Sequence, residues 1–160
     1  MQRFAIEHDH NGKPFKRAFL MAYFDTTVLV AYYCPEDLSE HAERLILNDD
    51  EPTISMLTVL EFVSALSRKT REKTLNSVHA KTIWKQFDHH QKNGYYVVKS
   101  LDSTHYLMAA SFIQHFTAPL RTLDALHIAI AVDAALPILT ADKQFARSAA
   151  KLGVDCKLVK

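Results

Sequence analysis

From Met21 onward the sequence changes its period repeatedly: short apolar runs alternate with stretches of helical length whose apolar residues recur at helical spacing. Ala22–Asp25 is the first such run, and Thr26–Tyr33 opens a helix that Pro35 interrupts before a second, Glu36–Leu47. Thr53–Met56 follows Pro52 as a short strand and leads into a helix over Thr58–Lys69, where Leu60, Val63, Ser64 and Ser67 share helical spacing. A long amphipathic helix from about Lys73 to Lys92 stops at Asn93-Gly94. Tyr95–Lys99, rich in β-branched and aromatic residues, reads as a strand, and Asp102–Phe116 as a helix with an Asp near its start. Thr122–Ala135 is a further helix, Pro137–Thr140 a strand, Lys143–Leu152 a helix closed by Gly153, and Val154–Val159 a last strand. Strands separated by helices in this order predict an α/β chain: a central, mainly parallel sheet with helices on both faces. In such sheets ligands gather at the carboxyl ends of the strands, which directs attention to the residues found there.

The chain has 160 residues, enough for one domain with one substantial core. Residues 1–20 read differently from 21–160: EHDHNGKPFKR is polar, carries an Asn-Gly turn signal and a Pro, and precedes a second methionine, Met21. The segment is expected to be an appendage, either a leader from an upstream start codon or a tag, or an arm that covers a surface. Asp9, Asn11 and Gly12 match a calcium loop only faintly, because the alternating ligands and the distal Glu are missing.

Apolar residues at 48% and charged residues at 23%, without low-complexity tracts, exclude a disordered chain. Nineteen Lys and Arg against eighteen Asp and Glu leave a net charge of +1, so no overall field collects nucleic acid and any such site must be local. Arg68, Lys69, Arg71 and Lys73 are the local basic stretch, although such a run is more simply the solvated end of a helix. Cys34 and Cys156 stand alone, with no CxxC pair, and none of the nine histidines forms an HExxH pattern, so structural zinc is not expected. His89 and His90 read as surface residues. No apolar run approaches the ~18 residues of a membrane span, and Glu7, His8, Asp9, His10 and Asn11 interrupt any signal peptide; a cytoplasmic location follows as the expectation.

Two strand ends carry an acid, Asp25 and Asp142, and both should face the same edge of the sheet. Taken singly, each is as readily a helix cap. Glu61 lies among Leu60, Phe62 and Val63; an ion pair with Arg68 or Lys69, across two turns, would explain it only awkwardly. Asp124 opens a helix that is apolar nearly all round, Leu123–Ala131, and is therefore either a cap or a carboxylate held in a buried place. His127, three residues on, shares its face and reads first as a satisfied core histidine, second as a group that orients a neighbour. Were the four carboxylates to converge, two charges about 4 Å apart would repel by roughly 4 kcal/mol at an effective dielectric near 20, so the cluster would take up protons or a cation. Oxygen ligands without Cys or a dedicated His suit Mg²⁺ or Mn²⁺ better than zinc. Phosphodiester hydrolysis is the chemistry that uses such a site.

Tyr23-Phe24-Asp25-Thr26-Thr27-Val28-Leu29, Glu61 within Val59-Leu60-Glu61-Phe62, Leu123-Asp124-Ala125-Leu126-His127-Ile128-Ala129 and Leu139-Thr140-Ala141-Asp142-Lys143-Gln144-Phe145 resemble, in order, the motifs of PIN-domain ribonucleases. The resemblance covers about Met21 to the C-terminus and is similar in scale to the VapC-like toxin branch. It implies a three-layer α/β/α fold and Asp25, Glu61, Asp124 and Asp142 as catalytic, metal-binding acids. Thr140 and Thr26 would support them, and Arg68 and Lys69 are candidate substrate contacts. It also implies Mg²⁺ or Mn²⁺ as cofactor, RNA as substrate, a homodimer, and a small antitoxin protein that blocks the site. Other readings are weaker. A haloacid-dehalogenase-like phosphatase needs an acid where Thr27 stands. A receiver-like phosphoacceptor module would find Asp102 after the middle strand and Lys99, but it lacks paired acids after the first strand and leaves Glu61 and Asp124 without a task. A PIN-like protein that has lost catalysis and only binds a partner is the remaining alternative.

Overall fold

A computed structural model describes Glu7–His8, Pro14–Phe15, residues 21–115 and residues 119–160. Strands β1 (Glu7–His8) and β2 (Pro14–Phe15) pair antiparallel on either side of the Asn-Gly signal. Asp9, Asn11 and Gly12 lie outside the described residues, as does Phe116 at the end of its expected helix.

The remaining strands are β3 (Tyr23–Phe24), β4 (Thr53–Ser55), β5 (Val97–Lys99), β6 (Ile138–Thr140) and β7 (Cys156–Leu158). They form one sheet in the order β5-β4-β3-β6-β7, and every neighbouring pair is parallel. The helices are α1 (Thr26–Tyr33), α2 (Ser39–Leu47), α3 (Met56–Arg71), α4 (Ser77–Lys92), α5 (Ser103–Ile113), α6 (Thr122–Asp133) and α7 (Lys143–Lys151). Because successive strand residues point to opposite faces, the sheet separates two cores. Phe24, Ile54 and Leu139 pack with Val28, Leu29, Phe62 and Phe87 of α1, α3 and α4. Tyr23 and Ile138 pack on the other face with Ala109, Ile128, Ile130 and Phe145 of α5, α6 and α7. This is the three-layer α/β/α arrangement expected from the motifs.

Element ends differ from the periodicity where side chains or backbone conformation stop a helix that composition would extend. The helix expected from Glu36 begins at Ser39, whose hydroxyl accepts the Glu36 N–H at 2.9 Å and donates to the Cys34 carbonyl at 3.1 Å, holding the segment after Pro35 as a turn. The helix expected from Lys73 begins at Ser77: Lys73 has φ 59°, in the left-handed region, and Asn76 caps the new helix by accepting the His79 N–H at 2.8 Å. Conversely α3 starts before Thr58, because Ser55 and Thr58 form a reciprocal capping box.

His90 also departs from its expected surface role. Its Nδ1 lies 2.6 Å from the Tyr33 hydroxyl, which in turn meets the Tyr96 hydroxyl at 2.9 Å, so the ring belongs to the aromatic layer between α1 and α4. Cys34 and Cys156 are both free thiols, and burial pushes the Cys156 thiol up to about 12. No helix of the described residues is long and apolar enough to cross a membrane.

Candidate active site

The carboxyl ends of β3 and β6 lie side by side, since Phe24 pairs with Leu139, and the residues that follow them form one end of a cavity of about 740 Å³. Asp25, Glu61, Asp124 and Asp142 all line it, together with Thr26, Thr27, Arg68, Lys69, Arg121 and His127. Four elements therefore contribute: the turn after β3, the second turn of α3, the first turn of α6 and the turn after β6.

Asp25 stands before α1 in the position of a cap but makes no capping bond with its side chain. Its Oδ2 accepts two hydroxyls, Thr27 Oγ1 and Thr140 Oγ1, each at 2.7 Å. Each hydroxyl is itself fixed from behind, Thr27 by the Ala141 N–H at 2.9 Å and Thr140 by the Asp142 N–H at 3.0 Å. The 5% exposed carboxylate is thus held by a chain of donors that joins β3 to β6.

Glu61 is fixed through one oxygen. Its Oε2 accepts Thr26 Oγ1 at 2.6 Å and lies 2.6 Å from His127 Nε2. The other ring nitrogen of His127, Nδ1, meets the Tyr23 hydroxyl at 2.6 Å, and that hydroxyl also reaches Ser55 Oγ at 2.7 Å and Thr58 Oγ1 at 3.2 Å. His127 is 1% exposed, so it is a satisfied core histidine and at the same time the group that orients Glu61. Burial alone would raise the Glu61 carboxyl, but the His127 bond and charge, with Thr26, bring it below the usual range. Burial opposes charging of His127, yet Glu61, Asp25 and Asp124 together push it up. The awkward alternative, an ion pair of Glu61 with Arg68 or Lys69, does not form: Lys69 instead binds Glu36 at 2.5 Å, while Arg68 lines the cavity.

Asp124 does not cap α6, whose cap position is Arg121; it projects from the first turn. Arg121 Nε donates to Asp124 Oδ2 at 2.8 Å, and a terminal nitrogen of the same guanidinium donates to Asp142 Oδ2. Asp142 lines the cavity and is also a helix cap, since its Oδ1 accepts the Gln144 and Phe145 N–H groups at 2.7 and 3.0 Å. The two acids respond oppositely to this shared cation. Burial, with the charges of Asp142 and Asp25, outweighs Arg121 and leaves Asp124 raised. Asp142 is less buried, and the Phe145 N–H, Arg121 and the Gln144 N–H lower it despite some desolvation.

The four acids are therefore gathered in two halves. Asp25, Glu61 and His127 offer ligand atoms within 4.8 Å of one another, with His127 Nε2 3.6 Å from Asp25 Oδ1. Asp124 and Asp142 are bridged by Arg121. The nitrogen donor in the first half was not anticipated from an all-oxygen reading. Thr27 and Arg121 were missed too; the i, i+3 spacing of Arg121 and Asp124 was a usable signal, whereas the Thr27–Asp25 bond had none. Asp102, which a receiver-like reading would need, caps α5 by accepting the Thr104 N–H at 2.8 Å and is not among the cavity residues.

The family model described as the PIN domain matches residues 22–151. Among curated proteins no sequence relative matches. Solved structures share the fold at low identity. FitAcB from Neisseria gonorrhoeae superposes with a TM-score of 0.66 at 16% identity, covering 85% of this chain and 96% of that one. Mycobacterium tuberculosis VapC20, a sarcin–ricin-loop-cleaving toxin, gives 0.64 at 14% identity, with 84% and 96% covered. DNA-bound VapBC from Salmonella typhimurium gives 0.64 at 15% identity, with 88% and 99% covered.

Proposed function

The chain belongs to the PIN-domain family, and on that footing we propose that it is a divalent-metal-dependent endoribonuclease, the toxin of a toxin–antitoxin pair, with Asp25, Glu61, Asp124 and Asp142 as its metal-binding and catalytic acids. The observation that carries the reading is the convergence of these carboxylates, from four separate elements, on one cavity at the carboxyl end of the sheet.

The residues present fit a hard divalent cation. Asp25 and Glu61 place carboxylate oxygens within 4.8 Å of each other beside His127, and Asp124 and Asp142 attract a cation in the form of Arg121. Mg²⁺ or Mn²⁺ suits the carboxylates, while His127 Nε2 is engaged with Glu61. A bound ion supplies Lewis-acid charge at the scissile phosphate and lowers the pKa of an attacking water. The chain's own contribution is positioning. Thr27 and Thr140 aim Asp25, and Thr26 and His127 aim Glu61, so the acids meet the phosphate without first paying to order themselves. Arg68, which lines the cavity, would meet an RNA phosphate, whereas Lys69 is engaged with Glu36.

A toxin–antitoxin complex from Klebsiella pneumoniae that shares the fold, with a TM-score of 0.57 at 18% identity, supports a small antitoxin as partner of this chain. The reading extends to a cytoplasmic homodimer, with residues 1–20 as an appendage to a nuclease of residues 21–160; removing residues 1–20 should leave cleavage and dimerisation unchanged. Total RNA from the source cell, incubated with purified protein and Mg²⁺ or Mn²⁺, should acquire new ends at one or a few sites, and chelator should abolish them. With antitoxin shown to be absent, no cuts in either metal would turn the assignment to a partner-binding PIN protein without catalysis.

A further inference from the structure

Among the described residues Arg121 is the one that touches both acids of the second half of the site, and sequence motifs give it no task. Its side chain is 54% exposed, against 12% for Asp124 and 25% for Asp142, so the guanidinium reaches in from the solvent edge of the cavity rather than being built into the core. It occupies the Oδ2 atoms of both carboxylates. Those are the anionic oxygens that a divalent cation would also take, and two cations cannot share them without repelling each other. Asp142 keeps its Oδ1 on the backbone N–H groups of α7 whichever cation holds its Oδ2, so the carboxylate need not move when the partner changes. Arg121 itself is free to swing, because its side chain has a flexible stem, half its surface is in water, and its backbone alone forms the start of α6.

We infer that Arg121 and the divalent ion exchange places: the guanidinium neutralises Asp124 and Asp142 in the metal-free protein, the ion displaces it, and the released guanidinium binds a non-bridging phosphate oxygen of the RNA. The planar, two-armed guanidinium that spans two carboxylates presents the same donors to a phosphate. Arg68 lines the same cavity, so the released group adds a second cation to the path of the strand. The consequence is a coupling: metal loading and RNA binding favour each other through one side chain. The inference rests on the metal-dependent nuclease reading.

Two measurements on the full chain test it. Calorimetric titration with MnCl₂ compares wild type with Arg121→Met, which keeps the length of the stem and loses the charge. Arg121→Met should bind Mn²⁺ about fivefold more tightly, the size of effect a partly exposed ion pair exerts. Anisotropy with a fluorescein-labelled single-stranded RNA, in saturating Mn²⁺ and in a Glu61→Gln background that stops turnover, should show Arg121→Met weakening RNA binding about tenfold. Arg121→Lys, which retains the charge, should keep Mn²⁺ affinity near wild type and bind RNA at an intermediate level. Equal or weaker Mn²⁺ binding by Arg121→Met, or unchanged RNA binding, would overturn the exchange while leaving the nuclease reading intact. Absence of Mn²⁺ binding in both proteins would overturn the metal reading and the exchange together.

Discussion

Asp25 is aimed by hydroxyls that arrive from both sides of the sheet junction, and the more distant donor, Thr140, is 115 residues away in sequence and completely buried. Its Oγ1 donates to Asp25, accepts from the Asp142 N–H and lies 3.3 Å from the Thr27 hydroxyl. Thr140→Val keeps the shape and removes these bonds, which should cost about 1–3 kcal/mol of stability by leaving buried polar groups unpaired. Urea unfolding measures the loss. The same variant should weaken Mn²⁺ binding, because Asp25 keeps only the Thr27 hydroxyl. The residue types that carry charge were legible in the sequence: Asp25, Glu61, Asp124 and Asp142 stand in recognisable short motifs, and all four line one cavity. The hydroxyl and imidazole groups that orient them were less so. Tyr23 and His127 meet through a bond that only the fold creates, and no spacing rule connects Tyr23 with a histidine 104 residues on.

At the scale of elements, each strand-to-helix junction sets a side chain by its local chemistry. The capping box of Ser55 and Thr58 fixes where α3 begins and so where Glu61 points. Behind α3 the aromatic layer is continuous: Phe62 and Phe87 have ring centroids 4.5 Å apart, and Tyr33 lies edge-on to both. Phe87 is fully buried, and Phe87→Ala should destabilise the fold by about 3–5 kcal/mol, read from the shift in the urea midpoint. A different junction predicts a pH effect. Asp49, just after α2, accepts the Ala22 N–H that leads into β3 and the Glu51 N–H, each at 3.0 Å. Burial pushes its carboxyl up to about 6, against the pull of those N–H groups. A carboxyl raised in the folded state stabilises it while protonated, so its contribution is present below about 4 and is lost as pH rises through about 6. The stability of wild type relative to Asp49→Asn, which stays neutral, should therefore fall between pH 4 and pH 6 and stay level above; a difference independent of pH would contradict the shift. Helix and strand identities were legible from periodicity throughout 21–160, whereas the starts of α2 and α4 were not, because a serine-held turn and the left-handed Lys73 interrupt sequences that composition alone would make helical.

Across the whole molecule, a net charge of +1 leaves recognition to local surfaces. Met56, Leu60 and Val63 form an exposed apolar stripe along α3, with Leu60 68% exposed, on the helix that also carries Glu61. In the homodimer proposed above that stripe would be the covered surface, and Leu60→Glu should then shift the protein from dimer to monomer in sedimentation velocity with the fold retained by circular dichroism. A dimer unaffected by the substitution would move the contact elsewhere. The central claim concerns the acids themselves. Its most direct measurement is the initial rate of cleavage, in saturating Mn²⁺, of an RNA carrying the mapped site, by wild type and by Asp124→Asn. The account predicts at least about a hundredfold loss for Asp124→Asn, the scale on which removing one positioned charge at a reacting phosphate acts, with the fold retained by circular dichroism. Equal rates in the two proteins would contradict it.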